Sequence, residues 1–453
     1  MNERVRQHVL SQLVCLGRHT LTGVLGTSGG LFSDWSADYR MYSRERVDPE
    51  KLFKPVRQRL TEQLAPGAPL VAALDDTRLR KSGRKTPGVG YTRDPLSPAF
   101  HVNLVKAQRF IQISMASPCD SGMVRMIPVD FVHAPAAQKP GKDADAQTLA
   151  EFRQAKQDKA LPRVAARRLA VLRSAMDEDG QQNRALWSVV DGGYTNRTFI
   201  KNLPPRTGTI GRIRADAKLY HLPEHAIGKL GRKPSYGVRA PTPEALRQNS
   251  DVPWQRVEAF AAGKHHAFKI KTLGPVRWRP AGEQDLLLMV IAPLGYRLSK
   301  QGKLLYRKPA YLICTDVNAG LEELLQAYLW RWDIEVNFRD EKTLLGVGQA
   351  QVRHEQSVER VPALAVAAYA MLLTSATLNF GPEGKPTNAL PVPKWQTNER
   401  LRASTQSLIN QLRHEIWARA IRFCSFASST NTNTKPLKLE HALESALFYA
   451  AAG

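Results

Sequence analysis

"APLVAALDDT", residues 68–77, is the stretch on which the fold turns. Leu70 to Leu74 is a short, unbroken apolar run, which reads as a strand buried on both faces. It ends on two carboxylates, Asp75 and Asp76. The same pattern returns in "RALWSVVDGGY", residues 184–194, where Leu186 to Val190 stops at Asp191, followed by Gly192-Gly193. An open α/β sheet carries its chemistry at the carboxyl ends of its strands. Acids distant in sequence are therefore expected to meet at one edge of one sheet.

Between these two strands, His101 to Ser117 and Met123 to Ala134 read as further strands around the turn "PCDSG". Ala144 to about Met176 is helical, divided in two by Pro162. After Asp191 come a short helix near Asn196 to Leu203 and a fifth strand in "TGTIGRIRADAKLY". Residues 1 to about 65 are helical, broken by "GTSGG" at Gly26 to Gly30, which lacks the Lys-Ser or Lys-Thr of a P-loop. From about 220 to 312 the chain turns to Pro, Gly, Trp and basic residues with alternating pieces such as "HAFKIKTL", a β-rich insertion. Leu321 to about Leu345 is expected as one helix, with helices continuing to the C-terminus around a loop at Gly381 to Glu399.

The chain of 453 residues carries a formal charge of +24, spread over runs at Arg78–Lys85, Lys201–Arg214, Lys229–Lys233 and Lys394–Arg402. A basic surface on a folded chain favours a polyanionic partner, most often nucleic acid. At 43% apolar residues the chain is too hydrophobic to be disordered. Cys15, Cys119, Cys314 and Cys424 form no CxxC pair, which argues against zinc ribbons and disulfide frameworks. Val361 to Phe380 is long enough to span a membrane but is Ala-rich and holds Thr374, Ser375, Thr377 and Asn379, so a buried core helix is expected. No signal-peptide core is seen, and a reduced cytoplasmic protein, nucleoid-associated and without a membrane partner, is the expectation. "HLPEH" at His221 to His225 mimics a metallopeptidase motif, but Pro223 prevents the helix that motif needs. "KHHAF" at Lys264 to Phe268 reads as a chance His pair, and "GPEGKPT" is too short for a Walker loop.

The most informative helix is "YLWRWDIEVNFRDEK", residues 328–342. On an uninterrupted helical wheel Tyr328, Arg331, Glu335 and Lys342 fall at about 0°, 300°, 340° and 320°, one narrow stripe. Asp333, Asp340 and Glu341 lie off it and read as solvent or ion-pair residues. A carboxylate flanked by two cations and an aromatic suits a metal ligand with phosphate-holding neighbours.

The spacing Tyr-x2-Arg-x3-Glu-x6-Lys, together with "ALDDT" before "RKSGRKTPGVG" and with "VVDGGYTNRTFIKNL", resembles one branch of the bacterial insertion-sequence DDE transposases over roughly residues 65–380. The resemblance implies an α/β, ribonuclease-H-like catalytic core with the β-rich insertion before the Glu-bearing helix. It divides the chain into a helical DNA-end-binding region (1–65), the first part of the core (66–219), the insertion (220–312), the last part of the core (313–380) and a helical C-terminal region (381–453). It implies a catalytic, metal-binding triad of Asp75, Asp191 and Glu335, with DNA phosphates held by Tyr328, Arg331 and Lys342. Asp75 and Asp76 point to opposite faces of a strand, so only one joins the site; the family's Asp-x-Thr spacing, met by Thr77, selects Asp75. The implied cofactors are two Mg²⁺ ions, with Mn²⁺ as substitute. The implied partner is double-stranded DNA, both transposon ends and target, bound by a homodimer. In hairpin-forming relatives a Trp of the insertion receives a flipped base; Trp254, Trp278 and Tyr306 are aromatics of this region, each read as core or surface. The function implied is binding of terminal inverted repeats, with strand cleavage and strand transfer. The alternatives are a catalytically silent transposase-derived DNA-binding protein and a ribonuclease-H-like nuclease on structured nucleic acid.

Overall fold

The chain enters through α1 (Glu3–Val14), α2 (Leu21–Thr27), α3 (Ser36–Ser43) and α4 (Pro49–Gln63). The start of α4 follows local chemistry: the Asp48 side chain accepts from the Glu50 amide, and Pro49 occupies the first turn, where no amide hydrogen is needed. The computed structural model describes residues 3–32, 34–44, 46–83, 85–94, 97–98, 100–224, 233–298, 301–392 and 401–421.

Next come β1 (Leu70–Arg80), β2 (Gly90–Arg93), β3 (Leu104–Pro118) and β4 (Val124–His133), then α5 (Ala146–Asp158) and α6 (Leu161–Glu178). They are followed by β5 (Leu186–Val190), α7 (Arg197–Ile200), β6 (Thr207–Arg212), β7 (Leu219–His221) and α8 (Pro243–Gln248). The insertion supplies β8 (Gln255–Ala261), β9 (Lys264–Trp278), β10 (Asp285–Ile291), β11 (Gly295–Tyr296), β12 (Leu305–Tyr306) and β13 (Ala310–Cys314). The chain then runs through α9 (Leu321–Trp330), α10 (Asp333–Thr343), α11 (Glu355–Phe380) and α12 (Thr405–Ile421).

The fold is α/β, built on a large mixed sheet. Among the described residues it has 11 strands, in the order β2-β3-β1-β5-β6-β13-β10-β9-β7, with β4 beside β3 and β8 beside β9. β1 runs antiparallel to β3 and parallel to β5, and β5 parallel to β6. The insertion's long strands therefore extend the same sheet, while β11 and β12 form a separate pair. The expected fifth strand is two, β6 and β7, because "ADAK" turns the chain between them. β2 is an additional short strand, and β3 starts at Leu104 rather than at His101. The helix expected over 321–345 is two helices, α9 and α10.

Strand alternation sorts the sheet's side chains into two cores. On β1, Leu70, Ala72 and Leu74 join the larger one, with α1, α4, α6 and α11. Val71 and Ala73 join the smaller one, with Leu324, Leu325 and Ala327 of α9 and Ile334 and Phe338 of α10. α11 is long and apolar enough to cross a membrane, yet 72% of that window is buried inside the fold, as a central helix of the larger core. The loop after α10 is latched from two sides. Gln12 of α1 donates to the Leu345 carbonyl at 2.6 Å, and the buried Lys81 ammonium donates to the carbonyls of Gly348 and Ala350 at 2.8 and 2.7 Å. These bonds hold α10 against the sheet end that β1 supplies. His221 ends β7, residues 222–224 are irregular, and His225 lies outside the described residues. So do 229–232, 394–400 and 422–453, which include parts of two basic runs, the end of the 381–399 loop, Cys424 and most of the expected C-terminal helical region.

Candidate active site

β1 and β5 bring the first two acids together by register. They pair in parallel with Ala73 opposite Val189. Two residues further on stand Asp75, still in β1, and Asp191, the first residue after β5, within electrostatic reach of each other. The face of β1 that carries Asp75 also carries Val71 and Ala73 into the smaller core, with Trp187 and Val189 of β5, under α9 and α10. Asp191 is set by its own turn. Its Oδ1 accepts from the Gly193 amide at 2.8 Å and the Tyr194 amide at 3.3 Å, and its carbonyl accepts from the Thr195 hydroxyl. A Cβ on Gly193 would come within 3.1 Å of that same Oδ1, so a side chain there would crowd the carboxylate.

Asp76 goes to the other face. Its Oδ1 accepts from the Tyr194 hydroxyl at 3.0 Å, its Oδ2 lies 3.8 Å from Arg78, and Arg109 stands within electrostatic reach. Tyr194 belongs to the larger core. The two neighbouring acids thus have different settings: Asp76 faces Tyr194, Arg78 and Arg109, whereas Asp75 faces Asp191, with its Oδ1 accepting from the Asp76 amide at 2.8 Å. Burial and the adjacent Asp191 push the Asp75 carboxyl up to about 7.

The third acid, Glu335, stands in the first turn of α10, just after its junction with α9. Arg331, Trp332, Ile334 and Glu335 each donate their amide three residues back, at 3.1–3.4 Å, so the helix tightens there. Each such step rotates the chain by about 120° instead of 100°, which breaks the uniform wheel of the sequence reading. The four residues therefore do not lie on one straight stripe. Three of them do converge. Arg331 Nη1 stands 3.4 Å from Asp75 Oδ2 and 3.9 Å from Glu335 Oε1, linking strand to helix. Tyr328 lies within electrostatic reach of Arg331, Arg212 and Asp191, and burial raises its phenol pKa. Lys342 sits apart on the exposed flank of α10, its ammonium 5.8 Å over the Phe338 ring and within electrostatic reach of Glu335, Arg78 and Arg80.

Two of the remaining acids of this helix, Asp333 and Asp340, are ion-paired, in line with the sequence reading. Asp333 pairs with Arg402 at 2.6 Å and accepts from the Met126 amide. Asp340, buried, accepts from the Thr405 hydroxyl and pairs with Arg339. Glu341 is the one that departs from expectation, being only 1% exposed. It faces Gln112 of β3, in a buried polar patch where Asn337 donates to Ser114 at 3.0 Å and the Tyr369 hydroxyl to Asn337 at 3.3 Å. Burial pushes the Glu341 carboxyl up to about 8. Gln112 Oε1 and Glu341 Oε1 are both buried acceptors lacking a hydrogen bond, and a proton on Glu341 supplies a donor the patch lacks. Arg212, Gln112 and Glu341 are the site neighbours that sequence reasoning missed. Their proximity depends on β3, β6 and α10 meeting, which leaves no local signal.

The donor set suits a hard divalent cation: three carboxylates and no sulfur or imidazole. Among the described residues no three ligating side chains already stand close enough to hold a metal ion. Arg331 supplies the positive charge between Asp75 and Glu335. The aromatics of the insertion are otherwise engaged or peripheral: Trp254 lies 4.6 Å under the Lys271 ammonium, Trp278 packs on the larger core, and Tyr306 is exposed on β12.

A family model described as "DDE superfamily endonuclease" matches residues 2–279. The matched stretch includes Asp75 and Asp191 and ends before the helix that carries Glu335. No curated protein matches the chain.

Proposed function

Since the chain belongs to the DDE superfamily endonucleases, we propose that it is the transposase of a bacterial insertion sequence, with Asp75, Asp191 and Glu335 as its catalytic carboxylates. The observation that supports this reading is that Asp75 and Asp191, at neighbouring parallel strands, lie within electrostatic reach of each other, with Arg331 reaching both Asp75 and Glu335. A ribonuclease-H-like core is supported by the strand order β4-β3-β1-β5-β6, antiparallel as far as β1 and parallel from β1 onward.

Asp75, Asp191 and Glu335 would hold two Mg²⁺ ions, or Mn²⁺ in their place. Such ions, when bound, activate an attacking water or 3′-hydroxyl and stabilise the leaving oxygen. In the cleavage step water attacks a phosphorus at the element's end. The bond to the 3′ oxygen breaks, leaving a 3′-hydroxyl and a 5′-phosphate. In the transfer step that hydroxyl attacks a phosphodiester of the target and expels its 3′ oxygen. No protein side chain forms a covalent intermediate, so positioning and electrostatics carry the catalysis. Arg331 and Tyr328 hold phosphate oxygens beside the carboxylates, and Lys342 holds the backbone further along the helix. The N-terminal helices read the inverted repeats, and a homodimer brings the two ends together.

The test is cleavage of labelled duplex DNA from the borders of the element that encodes the chain, with Mg²⁺, Mn²⁺ or chelator. Metal-dependent nicking that leaves a 3′-hydroxyl, lost in Asp191→Ala while binding persists, is the expected result. Binding without cleavage by the parent protein would indicate a silent derivative. Cleavage indifferent to the end sequence would indicate a nuclease of structured nucleic acid.

A further inference from the structure

β1 does not stop at its carboxylates. It runs five residues beyond Asp75 to Arg80, still paired with β3 as far as Ala107. The first residues of β3 then pair with β2, Gly90 opposite Ala107 and Arg93 opposite Leu104. The result is an antiparallel finger, rooted at the carboxylate edge. Its end is tied by the Asp94 amide donating to the Asn103 carbonyl at 2.8 Å, the Asn103 amide donating to the Ser97 hydroxyl at 3.0 Å, and an Arg80–Asp94 ion pair at 3.0 Å.

The surface of this finger is unusual in two independent ways. It exposes large apolar side chains: Phe100 at 93%, Tyr91 at 72%, Leu104 at 61% and Val102 at 56%. Scattered exposed apolar residues are ordinary, but four on one short hairpin mark an interaction site. The same stretch is strongly basic. Residues 78–109 hold eight Arg and Lys and one acid, Asp94. The register sets Tyr91 opposite Lys106 and Arg93 opposite Leu104, so aromatic, aliphatic and cationic groups share one face of the β2–β3 pair. At the root, Arg78 and Arg80 are within electrostatic reach of Lys342 on α10, so positive charge continues from the finger to the helix that carries Glu335.

We infer that the β2–β3 finger is a DNA-binding subsite that grips the strand running away from the cut. Arg93 neutralises a phosphate, Arg80 does so in exchange for its ion pair with Asp94, and Tyr91 and Phe100 stack against bases or sugars where the duplex is opened at the cleavage point. Cations with interleaved aromatics are how proteins hold nucleic acid without reading its sequence. A second copy of the chain is the poorer occupant, because docking two such fingers would set like charges against each other. This inference rests on the proposed reading of the carboxylate edge.

The experiment measures duplex binding by the full chain across a salt series, with the partly unpaired end of a cleaved substrate as a second probe. Arg80→Ala/Arg93→Ala is expected to lower the slope of log affinity against log salt by about two. Tyr91→Ala/Phe100→Ala is expected to weaken binding to the unpaired end by at least about fivefold. Circular dichroism and thermal melting establish that both variants fold. Parent-like affinity and salt slope in both would overturn the finger while leaving the carboxylate reading intact, which Glu335→Gln tests separately by binding without cutting. A change in oligomer mass by light scattering with unchanged DNA binding would also overturn it, in favour of a protein interface. A parent protein that neither binds nor cuts DNA would overturn both proposals.

Discussion

Glu335 and Glu341 stand on the same helix, six residues apart, and have almost nothing else in common. The Glu335 side chain is 42% exposed and reaches Arg331, which reaches Asp75. Glu341 is sealed beneath the helix against Gln112, with Asn337, Ser114 and Tyr369 completing a polar seam between α10, β3 and α11. The outer acid is placed to receive something from outside. The inner one has a neutral acid's surroundings and joins helix to sheet. A carboxylate's role thus follows from its partners, not from its residue type.

The sharpest way to break this contrast is Glu335→Gln. Strand cleavage is expected to fall at least about a hundredfold, the scale of losing a preorganised electrostatic contact, while DNA affinity and melting temperature hold. Parent-like cleavage by this variant would remove Glu335 from the site.

The adjacent pair on β1 gives the next largest effect. Asp75→Asn should abolish metal-dependent cleavage without loss of fold. Asp76→Asn should leave cleavage measurable and instead destabilise the chain by about 1–3 kcal/mol, because Arg78 and Arg109 lose the charge they face. Urea unfolding and a cleavage assay on both variants decide this, and exchanged outcomes would transfer the catalytic role to Asp76.

Glu341 yields a pH signature. Its folded carboxyl is raised from the ordinary 4.5 to about 8, with Asp340 and Lys342 as its charged neighbours. Between those values the folded chain holds a proton that the unfolded chain has released. The stabilisation is complete below about 4.5 and is lost as pH rises through about 8. Urea unfolding from pH 5 to 9 should therefore show the parent losing stability relative to Glu341→Gln, which has no proton to lose. Parallel curves would mean that Glu341 is ionised in the fold. The smallest effect is expected from Glu341→Gln on chemistry. Near pH 7 cleavage should stay within a few-fold of the parent, because the amide keeps the shape and neutrality of the protonated acid. A severe loss of cleavage in a folded Glu341→Gln would merge the two acids into one functional unit.

Much of the proposed site is legible in the residues alone. Apolar runs ending in Asp75 and Asp191 announce strands with acids at their ends, because they are short and flanked by turn residues such as Pro66-Gly67 and Gly192-Gly193. The choice between Asp75 and Asp76 is legible as an alternation, but its direction depends on which core each face joins. The α9–α10 turn is not legible. No Gly or Pro marks Arg331–Trp332, and the tightening arises where the helix pair bends over the sheet. The burial of Glu341 is equally hidden, because "RDEK" looks wet. Only Gln112 and Tyr369, brought from distant parts of the chain, make a polar pocket to receive it.

By itself, then, the sequence determined the element types, the strand-end acids, the basic character and the spacing around Glu335, since these follow from local periodicity and composition. The tertiary structure alone decided which acids meet, which of the aspartates turns inward, where the long helix breaks and which glutamate is sealed. Those outcomes depend on register between distant strands and on the low dielectric of packed interfaces, and neither quantity is carried by any local stretch of residues.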